Sequence, residues 1–428
     1  METMKAISLT LIFRVGQTLG SVVMLWLTAA WMGPVLRGQT SLLNSLVHLA
    51  VLLSGFGAGS GMLYAASRAQ RQGLVRWLFV FAFCGALLSL AVGTAGGLRG
   101  SFEDAFLWSL GLVSAAFLQA WLAGQRALAL GNGRLDLDRW TGTATTVFPA
   151  IGLGLCYILN SSPSIGLYLG VLVASLLLVT ALVALQSRAM EGANNQASLR
   201  SEAEFLESRA LLGLLWSKNR WTASANLAQF MVYRLQYGVL LLGWGEATLG
   251  VYSVAVVAAE TLWLITQSYS TVLLSRLSSH RGEPTISQVQ QSWTWAKHAL
   301  AWTVPAVLAL LLAPTTWLQA LLGLEYGSLT RWWWYLAPGI LALSWSNVLI
   351  HHFTALGQVR VSFFSSVGSA LLTMLGLAYA MDAGGVEGVA LGWSLVLVLN
   401  AAAVGGYFLN RYRSVSYTHL TLPTKRIV

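Results

Sequence analysis

Apolar residues run through this chain in blocks of about 20, the length at which a helix crosses the hydrocarbon of a bilayer. Twelve blocks stand out, at residues 7–32, 40–63, 77–98, 105–123, 141–160, 165–186, 221–243, 250–274, 293–313, 331–353, 362–381 and 387–409. The pattern predicts an all-α integral membrane protein of about twelve transmembrane helices. The longest polar stretch, about Ser187 to Arg220, divides the blocks into six and six. Because six is even, both halves enter the membrane from the same side, as lobes related by a pseudo-two-fold axis along the membrane normal. The expected divisions are an N-lobe at 1–186, a linker at 187–220 and a C-lobe at 221–413. Within the linker, Phe205-Leu206, Leu211-Leu212 and Leu214-Leu215 form an amphipathic piece expected to lie along the inner leaflet.

Composition removes the soluble alternative for 428 residues: 56% are apolar and 9% charged, against roughly a quarter charged in soluble domains. Nineteen Trp agree with this, since Trp favours membrane interfaces. The net charge of +10 sits in short loops between the blocks, a mark of topology rather than of nucleic-acid binding. With the N-terminus inside, the inner segments hold seventeen Lys and Arg, and the outer ones hold only Arg37, Arg99 and Arg331. The positive-inside rule then puts both termini in the cytoplasm. The first block, Ile7 to Trp31, is long enough to span and lacks a cleavage site, so it is read as a span rather than a signal peptide. Cys84 and Cys156 lie inside apolar blocks and read as small buried hydrophobes, not as a disulfide or metal pair. Residues 414–428 look like the translation of a sequencing adapter, a non-native tail in place of the natural C-terminus.

No catalytic, metal or cofactor motif is present: there is no phosphate-cradling Gly-Lys-Ser/Thr loop, no His-Glu-x-x-His and no Gly-x-Ser-x-Gly. The reading is therefore not an enzyme. Charges inside spans carry the information, because they are costly in hydrocarbon and face a cavity or a partner. Four are found, Arg14, Arg234, Glu260 and Lys297, and no acid lies deep in the first six spans, which points to an anionic ligand. At about 100° per residue, Thr10, Arg14, Gln17, Ser21 and Thr28 of span 1 fall within about 60° of one another. Ser41, Asn44 and His48 align on span 2. Asn226, Gln229, Tyr233, Gln236 and Tyr237 form a stripe on span 7 with Arg234 on its flank, and Ser253, Glu260 and Gln267 recur on span 8. Spans 1 and 7, and 2 and 8, hold matching places in the two halves, so the stripes suggest one hydrated cavity. Each also has a plain structural reading. Polar stripes glue helices, Arg14 can snorkel to the interface, Glu260 can neutralise an Arg, and Lys297 can anchor its span. His48, His298 and His351 can be hydrogen-bonded structural residues or a proton relay.

Several stretches resemble one family, the polysaccharide (O-antigen type) flippases of the multidrug/oligosaccharidyl-lipid/polysaccharide exporter superfamily, over about residues 7–410. After Arg14 comes Met32-Gly33-Pro34-Val35-Leu36-Arg37-Gly38, similar to that family's turn after helix 1, followed by Phe56-Gly57 and Tyr64. Tyr233-Arg234-Leu235-Gln236, Leu240 to Gly243, Thr248 to Ala255 and Ala259-Glu260 resemble its helix 7–8 signature. Leu322-Gly323, Glu325-Tyr326-Gly327, Leu336-Ala337-Pro338-Gly339, Ala355-Leu356-Gly357 and Gly384 to Ala390 follow in order. One departure is that the family often places Asp after the helix 7 Arg, whereas Leu235-Gln236 follow Arg234 here.

The resemblance implies a V-shaped, two-lobed flippase of the bacterial plasma membrane, with a central cavity lined by helices 1, 2, 7 and 8. Its substrate would be an undecaprenyl-pyrophosphate-linked oligosaccharide, passed from the cytoplasmic to the periplasmic leaflet by alternating access. A polysaccharide polymerase or other assembly proteins are the implied partners, alongside the bilayer itself. Joined to the stripes, it makes Arg14, Gln17, Asn44, His48, Asn226, Gln229 and Arg234 the candidate substrate-binding residues, and Glu260 the candidate for coupling or gating. Three other readings stay open. One is a peptidoglycan-precursor lipid flippase and another a non-transporting membrane scaffold. The third, a cationic drug exporter of the same superfamily, would want acids in the first lobe.

Overall fold

The structure, a computed structural model, describes residues 2–58, 62, 71–95, 105–132, 134–194, 208–278 and 284–420. Tyr64, Phe205-Leu206 and residues 421–428 lie outside the described residues, as does the side chain of Thr10. Among the described residues every element is helical. In the first half these are α1 (Glu2–Trp26, ending in a π turn, Leu27–Trp31), α2 (Gly33–Ala58), α3 (Arg71–Ala95), α4 (Ala105–Gly131), α5 (Leu135–Ile158) and α6 (Ile165–Asn194). Next comes α7 (Ser208–Thr261), which Gly245 breaks with φ 80° and ψ −179°. That backbone conformation is open to glycine and costly for other residues. The two arms are called α7a (residues 208–244) and α7b (residues 246–261). Then follow α8 (Trp263–Ser278), α9 (Ile286–Leu311), α10 (Thr315–Leu322), a 3-10 turn (Leu324–Ser328), α11 (Leu329–Ala355), α12 (Val359–Ala383) and α13 (Gly385–Leu420).

Nine of the described helices are long and apolar enough to cross a membrane, and a tenth is gained if α9 and α10, bent by 77°, form one span. One of the nine is the 52-residue stretch Asn219–Ser270, which Gly245 divides in two. The 27-residue α11 supplies the remaining span of the expected twelve. It carries Ser344, Ser346, Asn347, His351 and His352: Ser344, Ser346 and His351 bond carbonyls of their own helix, and His352 finds partners on α9 and α13. Large side chains such as Phe106, Ile158, Leu242 and Leu375 are more than two-thirds exposed on the helices' outer faces. Water would not tolerate so much apolar surface, whereas lipid does. The chain is a multi-pass membrane protein. The helices begin earlier than several apolar blocks, α2 at Gly33 and α3 at Arg71, because their first turns are polar. The two cysteines correct an expectation: Cys84 is exposed and Cys156 half-buried, both free. Cys84 lies among the exposed side chains of Val80, Phe83, Leu87 and Leu88, where hydrocarbon rather than protein surrounds it.

The chain forms two compact units, one of residues 1–227 with 246–250, the other of residues 228–245 with 251–428. In the first, α4 packs against α2, α3, α5 and α6, and α1 leans on α5. Its core gathers Leu43 and Leu46 of α2, Leu112 and Leu122 of α4, and Leu169 and Leu176 of α6. Leu211 and Leu215 of α7a are buried in a smaller cluster with Leu74 and Leu78 of α3, and the helix that holds the seventh span begins ahead of it, at Ser208. Gly38 and Gly250 allow α2 and α7b to touch: a Cβ on Gly38 would run into the carbonyl oxygen of Glu246, and one on Gly250 into that of Pro34. Gln39 Nε2 donates to Glu246 Oε2 beside this contact, at 2.8 Å.

In the second unit, α11 takes the place α4 holds in the first, packing against α8, α9, α12 and α13. At one end of that bundle His352 is fully buried. Ser292 Oγ donates to the Gln288 carbonyl at 2.9 Å. It therefore accepts from His352 Nδ1 at 2.8 Å, which leaves His352 Nε2 to accept from the Tyr412 hydroxyl at 2.9 Å. This directed chain fixes the imidazole tautomer and ties α9, α11 and α13 together. Of the histidines the sequence singled out, His351 meets the Asn347 carbonyl at 2.8 Å and His298 is exposed. Lys297 is exposed too, with its ammonium over the Trp293 ring at 5.7 Å.

Candidate functional site

In the first unit the site begins on α1. Gly16 and Gly20 turn toward α5, where a Cβ on Gly20 would sit 3.2 Å from Val147, and Thr143 Oγ1 donates to the Phe13 carbonyl at 3.0 Å. This docking leaves two faces of α1 exposed, and they differ in chemistry. One carries Ile12, Val15, Leu19 and Val22, and the other carries Arg14, Gln17 and Ser21. The apolar face suits hydrocarbon, whereas a bare Arg beside Gln suits a wet surface. Ser21 and Thr18 hydroxyls donate to the carbonyls of Gln17 and Arg14, so they are satisfied within their own helix. The Arg14 side chain has no acidic partner among the described residues.

The α2 stripe divides. Ser41 is buried and donates to the Arg37 carbonyl at 2.8 Å. Asn44 exchanges hydrogen bonds with the buried Tyr168 hydroxyl of α6, at 2.7 and 2.9 Å. His48 is exposed. Arg37, expected in an outer loop, is buried instead, and its Nη1 donates to Thr28 Oγ1 at 2.7 Å. Charge in the α1–α2 turn is thus folded inward, which loop counting cannot see.

The second unit holds the other cation. Arg234 on α7a meets Glu260 on α7b through a two-pronged contact: Nη1 to Oε1 at 2.8 Å and Nη2 to Oε2 at 3.0 Å. Such a planar fork is strong because both partners are charged and two bonds align. The guanidinium also lies over the Tyr237 ring, 5.0 Å from its centroid. The pair is partly open, the side chains being 24% and 16% exposed. Gln229 Nε2 donates to the Tyr233 hydroxyl at 2.8 Å, and Asn226 is exposed. Gln236 is fully buried, accepting from Tyr252 at 2.7 Å, and so belongs to the packing rather than to a ligand surface.

Gln229, Tyr233, Arg234 and Glu260 therefore lie inside the second unit, and the Arg that Glu260 neutralises is Arg234, whereas Asn226 belongs to the first unit. Aromatic neighbours complete the site. Tyr233 lies 4.7 Å from the Trp263 ring and 6.4 Å from that of Trp393. Polar periodicity passes over these two indoles because it scores Trp as apolar. The available signal was spacing: Trp263 follows Glu260 by three residues and shares its helix face. No group of three or more metal-ligating side chains exists among the described residues.

No protein-family model and no curated protein matches the sequence. Among solved structures, an inward-facing multidrug resistance MATE family transporter of the MOP superfamily matches with a TM-score of 0.71 and 14% identity, over 94% of this chain and 96% of that one. The lipid II flippase MurJ, in an inward closed conformation, matches with a TM-score of 0.68 and 14% identity, over 94% and 87%. A MOP superfamily transporter from Pyrococcus furiosus, described by the reverse polarity of its binding pocket, matches with a TM-score of 0.60 and 15% identity, over 95% and 94%. At such identities the likeness establishes a shared fold along nearly the whole chain.

Proposed function

We propose that the protein moves an anionic lipid-linked glycan, of the undecaprenyl-pyrophosphate-linked oligosaccharide kind, from the cytoplasmic to the periplasmic leaflet of a bacterial plasma membrane by alternating access. The observation that carries this reading is the state of the two intramembrane arginines. Arg14 stands on an exposed polar face without an acid among the described residues, and Arg234 is held by one carboxylate it can exchange for another anion. At each arginine taken by itself, a phosphate offers acceptors that the guanidinium lacks or shares. Each charge-assisted bond contributes roughly 1.5–3 kcal/mol, which is about ten- to a hundredfold in affinity. Gln17, Asn226, Gln229 and His48 line the same stripes and suit sugar hydroxyls. Asn44, already bonded to Tyr168, positions α2 against α6 in this state. Glu260 competes with the headgroup for Arg234, so its release of the guanidinium is the natural coupling step.

A cationic drug exporter fits less well, because the acid available in the α7b stripe is already occupied by Arg234. The fold likeness to the lipid II flippase favours a second reading, a peptidoglycan-precursor flippase. Both substrates share the polyprenyl pyrophosphate, so the arginine argument serves each. Two substitutions test the common part. Arg14→Ala or Arg234→Ala should abolish surface glycan export when export is normalised to the amount of protein in the membrane. Unaltered export in both variants removes the reading and favours a scaffold. Complementation of strains lacking one or the other flippase separates the two substrates.

A further inference from the structure

Beside the Arg234–Glu260 fork lies an aromatic cluster that the headgroup contacts do not use. Trp263, the first residue of α8, and Tyr233 of α7a are half-buried and 4.7 Å apart, tilted by 45°. Trp393 of α13 stands behind Tyr233 at 6.4 Å and is 1% exposed. The indole N–H groups of Trp263 and Trp393 are both buried, and neither has a hydrogen-bond partner among the described residues. An indole N–H can only donate, and a buried donor without an acceptor is costly enough to be rare. A Trp that merely anchors a span at the membrane interface has its N–H in the headgroup layer. Trp263 lies in the middle of the eighth apolar block, well away from either end.

Sequence ties this cluster to the cation. Tyr233 immediately precedes Arg234, and Trp263 lies one helical turn beyond Glu260. A ligand whose phosphate reaches Arg234 would place its next chemical group over these rings. In a lipid-linked glycan that group is the first sugar. A pyranose has an apolar face of C–H groups, suited to an aromatic ring, and a rim of oxygen acceptors, suited to an indole N–H.

The geometry points to Trp263, backed by Tyr233 and Trp393, as the residue that recognises the sugar attached to the pyrophosphate held at Arg234. This rests on the lipid-linked glycan reading and adds to it which part of the substrate this unit inspects.

The test compares two probes bound to the purified full-length protein in lipid nanodiscs: a polyprenyl pyrophosphate, and the same molecule bearing one hexose. The wild type should bind the hexose-bearing probe about tenfold more tightly, the scale of one aromatic contact plus one hydrogen bond. Trp263→Leu should bring that ratio to about one, lowering the affinity for the hexose-bearing probe more than that for the bare pyrophosphate. Trp263→Phe, which keeps a ring and loses the donor, should retain an intermediate ratio and guards against a Leu variant that does not fold. A ratio unchanged in the Trp263 variants, or an equal loss for both probes, overturns the assignment. In that case Arg234-dependent binding of the bare pyrophosphate would leave the broader function intact. A wild type that binds neither probe overturns both.

Discussion

Arg234 and Glu260 hold each other where neither charge is well hydrated, so the consequence of removing one depends on what remains. Glu260→Ala leaves a guanidinium with only the Tyr237 ring and hydroxyl beside it. The expected loss of stability is about 2–4 kcal/mol, the scale for orphaning a largely buried charge. Removing both partners takes away the uncompensated charge, so Arg234→Ala/Glu260→Ala should be more stable than Glu260→Ala alone. Thermal unfolding of the wild type and the two variants in one detergent checks the order, and a double variant less stable than the single would contradict it. At this scale the sequence showed the charges and their helix faces, because cost in hydrocarbon makes every intramembrane ion conspicuous. It did not show that Arg37 folds inward onto Thr28, since a residue in a short turn looks solvated until the turn is built. It also left Tyr168 and the two indoles among the apolar majority.

Helix ends are set by local chemistry that is separable from the site. The link between α11 and α12 closes with Gly357 at φ 75°, its N–H on the Thr354 carbonyl at 3.0 Å and the Gln358 N–H on that of Phe353 at 2.9 Å. A β-carbon in this left-handed conformation costs about 1–2 kcal/mol. Gly357→Ala should lower the unfolding temperature with binding intact, and Gly357→Asn should cost less, since Asn tolerates the conformation better. Equal thermal stability for all three would mean that the turn relaxes. Spans were the most legible elements, because bilayer thickness fixes their length. Less legible were breaks within apolar blocks. The eighth block divides at Leu262 into α7b and α8 with no polar run to mark the place, and just past the ninth, at Pro314, the chain bends by 77° into α10. α11 was readable as a span from its length, although its polar side chains place it at the centre of the second unit.

For the whole molecule, the six-plus-six plan rested on the parity of the spans and on the distribution of Lys and Arg, and the matching packing around α4 and α11 is what an internal repeat produces. Orientation can be measured directly. In a background lacking Cys84 and Cys156, a cysteine at Asn132 between α4 and α5 should react only with reagents supplied from the cytoplasmic side. One at Ser161 between α5 and α6 should react only from outside. The reverse pattern would invert the positive-inside assignment. The fork in the second unit has an electrical consequence. On the proposed reading Glu260 already cancels Arg234, so each negative charge of a pyrophosphate bound there without displacing a proton stays uncompensated as it crosses the bilayer. In a cell that is negative inside, outward passage of that charge runs downhill by about 2.3 kcal/mol for each 100 mV, so the membrane voltage itself would favour the periplasmic leaflet.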